Sequence, residues 1–219
     1  MRILFVIVKV LTFPGAILHA LWEHCLCRRF HCPVEDVRYF QASELCGHVE
    51  HEFMPTRGKS FWFCFLPFFL NLVLGLLITI PASVHVIKLQ QFTNIFYLLM
   101  LWFGISLLTS LFPLMEDAIA LWEHFYRSEE ACNVVGKILL FPIIAILVAG
   151  AWLERWGITL LTSVAAAWVL PELLSPIAGA LVSANSALSN WLAEKTAELQ
   201  AAAEAATEAV TDASTTAAS

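Results

Sequence analysis

Phe61-Trp62-Phe63-Cys64-Phe65-Leu66-Pro67-Phe68-Phe69-Leu70-Asn71-Leu72-Val73-Leu74-Gly75-Leu76-Leu77-Ile78-Thr79-Ile80 contains no charged residue, and it decides the class of fold. At about 1.5 Å per residue a helix of this length is about 30 Å long, the thickness of the hydrocarbon core of a bilayer. The rest of the chain agrees. Hydrophobic residues make up 59% of the 219, charged residues only 14%, and the mean hydropathy is +0.76. A soluble domain of this size cannot bury so many apolar side chains. The sequence predicts an all-α integral membrane protein with the lipid bilayer as its main partner.

Working outward, Phe92 to Met115 forms a further apolar run that ends on Glu116-Asp117. Val134 to Leu153 and Trp156 to Leu174 are two more, separated by Glu154-Arg155. They read first as a tight hairpin and alternatively as one long tilted helix whose ion pair must face protein. On the other side, Met1 to Leu18 is apolar apart from Arg2, Lys9 and Thr12. No small-x-small cleavage site follows it, so it reads as a membrane segment rather than a signal peptide. Pro14 is expected to kink it as it runs into the next helix. The total is four to five transmembrane helices. The expected organisation is a membrane core over 1–153 with an extramembrane loop at 28–60, an additional membrane helix at 154–180, and an Ala/Glu/Thr-rich helix and tail at 181–219.

The loop has its own pattern. Val34 to Phe40 and Gly47 to Phe53 each alternate partially between apolar and polar residues, which predicts a small β-hairpin. Six cysteines clustered toward the N-terminal half do not make a secreted disulfide framework, so reduced thiols are expected. Cys27 and Cys32 have four residues between them, as do Cys46 and His51, a spacing compatible with structural zinc. The plainer alternative is packing thiols and hairpin histidines.

The segment Phe13-Pro14-Gly15-Ala16-Ile17-Leu18-His19-Ala20-Leu21-Trp22-Glu23-His24-Cys25-Leu26-Cys27 brings metal-capable side chains next to an apolar run. His19, Glu23 and Cys27 recur every four residues and so form one helical stripe, while His24 lies about 140° round from His19. A zinc-peptidase helix uses His-Glu-x-x-His, two imidazoles one turn apart with a Glu to activate the metal-bound water. Here the general-base position holds Ala20 and the second-ligand position holds Glu23. The stripe either binds zinc or forms a hydrogen-bonded pair that lines a polar cavity. A short echo, Ala120-Leu121-Trp122-Glu123-His124, recurs in Ala118 to Cys132, which reads as an amphipathic surface helix.

Phe-Pro-Gly followed by His19, then Leu66-Pro67-Phe68-Phe69-Leu70-Asn71, then Phe112-Pro113-Leu114-Met115-Glu116-Asp117-Ala118 resemble, in order and spacing, the membrane-embedded HExxH zinc metallopeptidase-like proteins, with a plan similar to that of site-2 proteases. The resemblance covers Phe13 to Leu121 and extends to the hairpin piece Gly47 to Glu52. It implies that Asp117 completes a metal site with His19 and Glu23, with Glu116 as a substitute, and that Asn71 lies near the cavity. It also implies a zinc cofactor and a peptide or membrane-protein partner. The altered motif implies a catalytically impaired or inactive relative.

Charge narrows the alternatives. The net charge of −6 comes without an extended basic stripe, so no nucleic-acid partner is expected. Lys and Arg are concentrated in the 28–60 loop, which places that loop and the C-terminus in the cytoplasm. Two functions fit: a metallopeptidase-like protein, active or decayed, and a non-catalytic membrane scaffold or binding protein with no metal site.

Overall fold

A computed structural model describes residues 2–39, 47–52, 54, 56–127, 134–174 and 195–196. It is mostly helical with one two-stranded sheet. The expected hairpin tip at 41–46, the end of the expected surface helix, and the expected C-terminal helix and tail at 181–219 lie outside the described residues, apart from 195–196. Residues 1–171 form one compact unit.

Helix α1 (Arg2–Leu11) and helix α2 (Phe13–Phe30) meet at 91°. The expected kink is therefore a break, and local chemistry explains its place. Pro14 has no N–H to donate and its ring crowds the carbonyl one turn back. The Gly15 N–H turns away to the Ser106 hydroxyl at 2.7 Å, and that hydroxyl donates to the Thr12 carbonyl at 2.7 Å. The Thr12 hydroxyl bonds back to Val8. A helix end that would be costly to bury is thus satisfied by one side chain from a distant helix.

Strands β1 (Val34–Arg38) and β2 (His48–His51) form the antiparallel hairpin expected of the loop. Val37 pairs with Val49, and an irregularity lies between Val34 and Asp36. Val49 is fully buried. Gly47, at φ 71°, begins the return strand, and a Cβ there would lie 2.6 Å from the Cβ of Ala16. No other residue both adopts that backbone angle cheaply and lets the hairpin sit so close to α2.

Helix α3 (Arg57–Ser83) continues into a π-helical turn at Val84–Lys88. Helix α4 (Ile95–Thr109) lies against it with glycines at the contact: a Cβ on Gly104 would be 2.3 Å from the Thr79 hydroxyl. Close approach through small residues is how helices pack where the hydrophobic effect between them is absent. Helix α5 (Met115–Tyr126) packs on α3 and on helix α6 (Val134–Arg155), burying Ala118, Leu121 and Phe125. After Trp156 and Gly157, which has φ 71°, helix α7 (Ile158–Leu174) begins. The apolar runs on either side of Glu154-Arg155 are therefore two helices.

Two helical stretches, Arg57–Lys88 and Val135–Arg155, are long and apolar enough to cross a membrane, and the bent α1–α2 pair makes a third if it counts as one span. Helices α4 and α7 are shorter than the expected spans. At 15 residues α4 is about 22 Å long, against about 30 Å of hydrocarbon. It stops at Thr109 rather than Met115 because Pro113 restricts Phe112 to extended backbone and the Ser110 carbonyl is taken by side chains. Val135, Ile138, Leu139 and Leu161 are each at least 70% exposed, an outward apolar face that water does not favour.

Candidate functional site

The stripe on α2 faces inward as its spacing predicts: His19, Glu23 and Cys27 are all buried. His19 Nε2 lies 3.3 Å from Glu23 Oε1, one helical turn away. On the other side of the ring, Nδ1 lies 3.1 Å from the carbonyl oxygen of Ser110. A carbonyl only accepts, so Nδ1 carries the hydrogen and Nε2 is left to face Glu23. Asn71, fully buried on α3, donates to the same Ser110 oxygen at 2.7 Å and accepts from the Trp22 indole N–H at 3.1 Å. The 3.4 Å separation between Asn71 Nδ2 and His19 Nδ1 is then that of two donors converging on one oxygen. Trp22, Asn71, Ser110, His19 and Glu23 form one polar chain across α2, α3 and the end of α4.

Asp117 sits in the first turn of α5, and its Oδ1 lies 3.6 Å from Nε2 of His51 on β2. The His51 ring packs edge-on against Phe63 at 4.4 Å, and its Nδ1 donates to the Glu52 carbonyl at 2.7 Å. Cys64 donates weakly to the Asp117 carbonyl at 3.7 Å. Cys27 and Cys64 belong to one buried apolar cluster that also contains Ala20, Phe63 and Leu121. Glu116, in contrast, is exposed and lines a separate cavity with Lys9 and Glu154.

Cys27 and Cys32 come together because α2 closes through His31 in the left-handed conformation, with the Cys32 N–H bonded to the Cys27 carbonyl at 2.9 Å. Burial first, and then the charge of Glu52, pushes the Cys32 thiol above the ordinary thiol range. Cys25, Cys27, Cys32 and Cys64 form no disulfide. Cys46, the fourth member of the possible loop cluster with His51, lies outside the described residues.

Comparison with protein-family models, with curated proteins and with solved structures finds no match.

His19 has the arrangement of a metal-binding imidazole, one ring nitrogen held by a backbone carbonyl and the other turned to a carboxylate. The 3.3 Å between Nε2 and Oε1 is close to the separation of two ligands on one tetrahedral zinc, whose bonds are about 2.0–2.2 Å. A catalytic zinc takes about three protein ligands. Among the described residues no three His, Cys, Asp or Glu side chains converge as a metal-holding group. The arrangement offers two donors.

Ser110, Cys64 and the His51–Asp117 partnership carry no sequence signal: Ser110 is an ordinary polar residue at a helix end, and His51 pairs across sixty-six positions of chain. The echo around Glu123 is not a second copy of the site, since Glu123 is half-exposed and makes a surface contact with Arg127 at 3.7 Å.

Proposed function

We propose that this chain is a multi-pass membrane protein with the plan of a membrane metallopeptidase, in which the site has lost hydrolysis and holds a peptide or membrane-protein segment without cutting it. The reading rests on the buried His19–Glu23 pair with Ala20 between them. Ala20 is fully buried in the core, so no carboxylate stands at the position from which the motif activates water. Glu23 lies 3.3 Å from His19, and Asp117, the third ligand the resemblance implies, lies 3.6 Å from His51. The outward apolar faces of α3, α6 and α7 support the bilayer as surroundings. The Lys/Arg-rich loop supports a cytoplasmic hairpin and C-terminus.

The chain purified in detergent tests this by zinc content and by cleavage of a fluorogenic transmembrane peptide. Sub-stoichiometric zinc and no cleavage above that of His19→Ala are expected. The single change Glu23→His, and the double change Ala20→Glu with Glu23→His, both raise bound zinc; the single change keeps the test usable where a carboxylate at position 20 disturbs the core. Stoichiometric zinc in the natural chain, with chelator-sensitive cleavage lost in His19→Ala, overturns the reading. Absence of zinc from Glu23→His as well favours a scaffold with no metal site, to which the His51–Asp117 pairing also points.

A further inference from the structure

A cavity of about 630 Å³ opens between α1, the end of α6 and the start of α5. At its wall is a buried ion pair: Lys9 Nζ lies 2.6 Å from Glu154 Oε1, and Glu154 Oε2 accepts from the Phe112 N–H at 3.2 Å. Glu154 is satisfied. An ammonium has three donors, and among the described residues Lys9 Nζ has this one acceptor, besides lying 5.6 Å from the Phe5 ring. Arg155 and Glu116 also line the cavity, are exposed, and make no ion pair among the described residues. Trp152 and Trp156 also line it, 5.6 Å apart and 50% and 40% exposed.

We infer that this cavity binds the headgroup of a zwitterionic phospholipid. Lys9 and Glu154 cancel each other, which leaves one cation, Arg155, and one anion, Glu116, facing one space. That is the complement of a phosphate joined to an ammonium. The free donors of Lys9 add to the phosphate side, where charge-assisted hydrogen bonds are strongest. An anionic lipid or free phosphate meets Arg155 equally well but leaves Glu116 opposing it. The position fits a headgroup, because the apolar stretch Val135–Arg155 ends at the cavity and paired tryptophans favour the membrane interface. The acyl chains then run along the exposed faces carrying Ile119 and Ile146. A space of this size is within the range of about 300–1,000 Å³ that small-molecule sites occupy.

The inference rests on the membrane reading but not on the metallopeptidase-like site. Its test is native mass spectrometry of the full chain, delipidated in detergent and titrated with phosphatidylethanolamine, phosphatidylglycerol or soluble glycerophosphoethanolamine. One phosphatidylethanolamine per chain is expected to persist, in preference to phosphatidylglycerol. Arg155→Ala and Glu116→Ala, both at exposed positions, each weaken it by about 10- to 100-fold, the range for a lost charge-assisted bond. Lys9→Met is avoided because it strands Glu154. Equal retention of phosphatidylglycerol overturns the zwitterion, and equal competition by the soluble headgroup overturns the lipid. Unchanged binding in both variants overturns the site. A chain that stays dispersed without detergent fails the membrane reading itself, which separates that failure from the others.

Discussion

Replacing Gly15 with alanine reverses the sign that helix propensity gives. In an open helix interior, Gly→Ala stabilises by about 0.5–1 kcal/mol through backbone entropy. At Gly15 the new Cβ lands 2.0 Å from the carbonyl oxygen of Ser106, 2.4 Å from its carbon and 2.8 Å from the nitrogen of Leu107, all backbone atoms. Ordinary contact needs about 3.5 Å, so α2 and α4 must separate by about 1–1.5 Å. That movement breaks the Gly15–Ser106–Thr12 relay, two hydrogen bonds at about 0.5–1.5 kcal/mol each, and adds overpacking of about 1–3 kcal/mol. After the propensity gain, the net loss is about 1–5 kcal/mol. His19 lies one turn further along α2, so its bond to Ser110 lengthens with the same shift. The assay is unfolding in mixed micelles, followed by tryptophan fluorescence. Gly58→Ala is the internal control: no atom lies within 4 Å of its Cβ, and stabilisation of up to about 1 kcal/mol is expected. A Gly15→Ala chain as stable as the natural one, or more stable, refutes the packing of the break against α4.

Three further outcomes follow from the same structure. Asn71→Leu removes the acceptor of Trp22 and the shorter donor to Ser110, and lowers stability in the same unfolding assay by about 1–3 kcal/mol, the remaining His19 bond limiting the loss. Lys9→Met strands a buried carboxylate and costs about 3–5 kcal/mol; adding Glu154→Gln, which still accepts from Phe112, restores most of it, as a double-mutant cycle measures. Because its folded-state pKa is raised above the unfolded value of 9.0, Cys32 contributes stability that is fully present below pH 9 and declines as pH rises through the folded value. Peptide mapping after alkylation at pH 8.5 therefore finds Cys32 reacting more slowly than free cysteine, and a rate equal to that of free cysteine contradicts its burial.

Much of the fold was legible because its signals are local. The uncharged run at 61–80 is α3, the alternation around Val37 and Val49 is the hairpin, and four-residue spacing put His19, Glu23 and Cys27 on one buried face. The length of α4 was only partly legible, since the run to Met115 carries no charge and Pro113 alone marks a boundary; the helix ends earlier with the capture of the Ser110 carbonyl by Asn71 and His19, residues far away in sequence. The same holds for Glu154. Its charge marks a break between two apolar runs, yet it remains inside the last turn of α6, because Lys9 supplies a counter-charge and Phe112 a donor. Asp117 was legible as one of two acids closing an apolar run but not as the neighbour of His51, since β2 reaches it only once the hairpin lies on α2.

The segment from Ser110 to Leu114 has no regular structure of its own, and its shape comes from side chains on three other elements: His19 on α2 and Asn71 on α3 hold one end, and Glu154 on α6 holds Phe112. It is therefore not a transferable module. A chimera that receives only these five residues gains the letters without the conformation, whereas one that receives positions 19, 71 and 154 as well carries the instructions that shape them. Sequence drift in the segment is accordingly limited at the backbone groups those three residues grip as well as at its buried side chains, so a proline at position 112, which removes the held N–H, is barred there even though a proline already stands next to it.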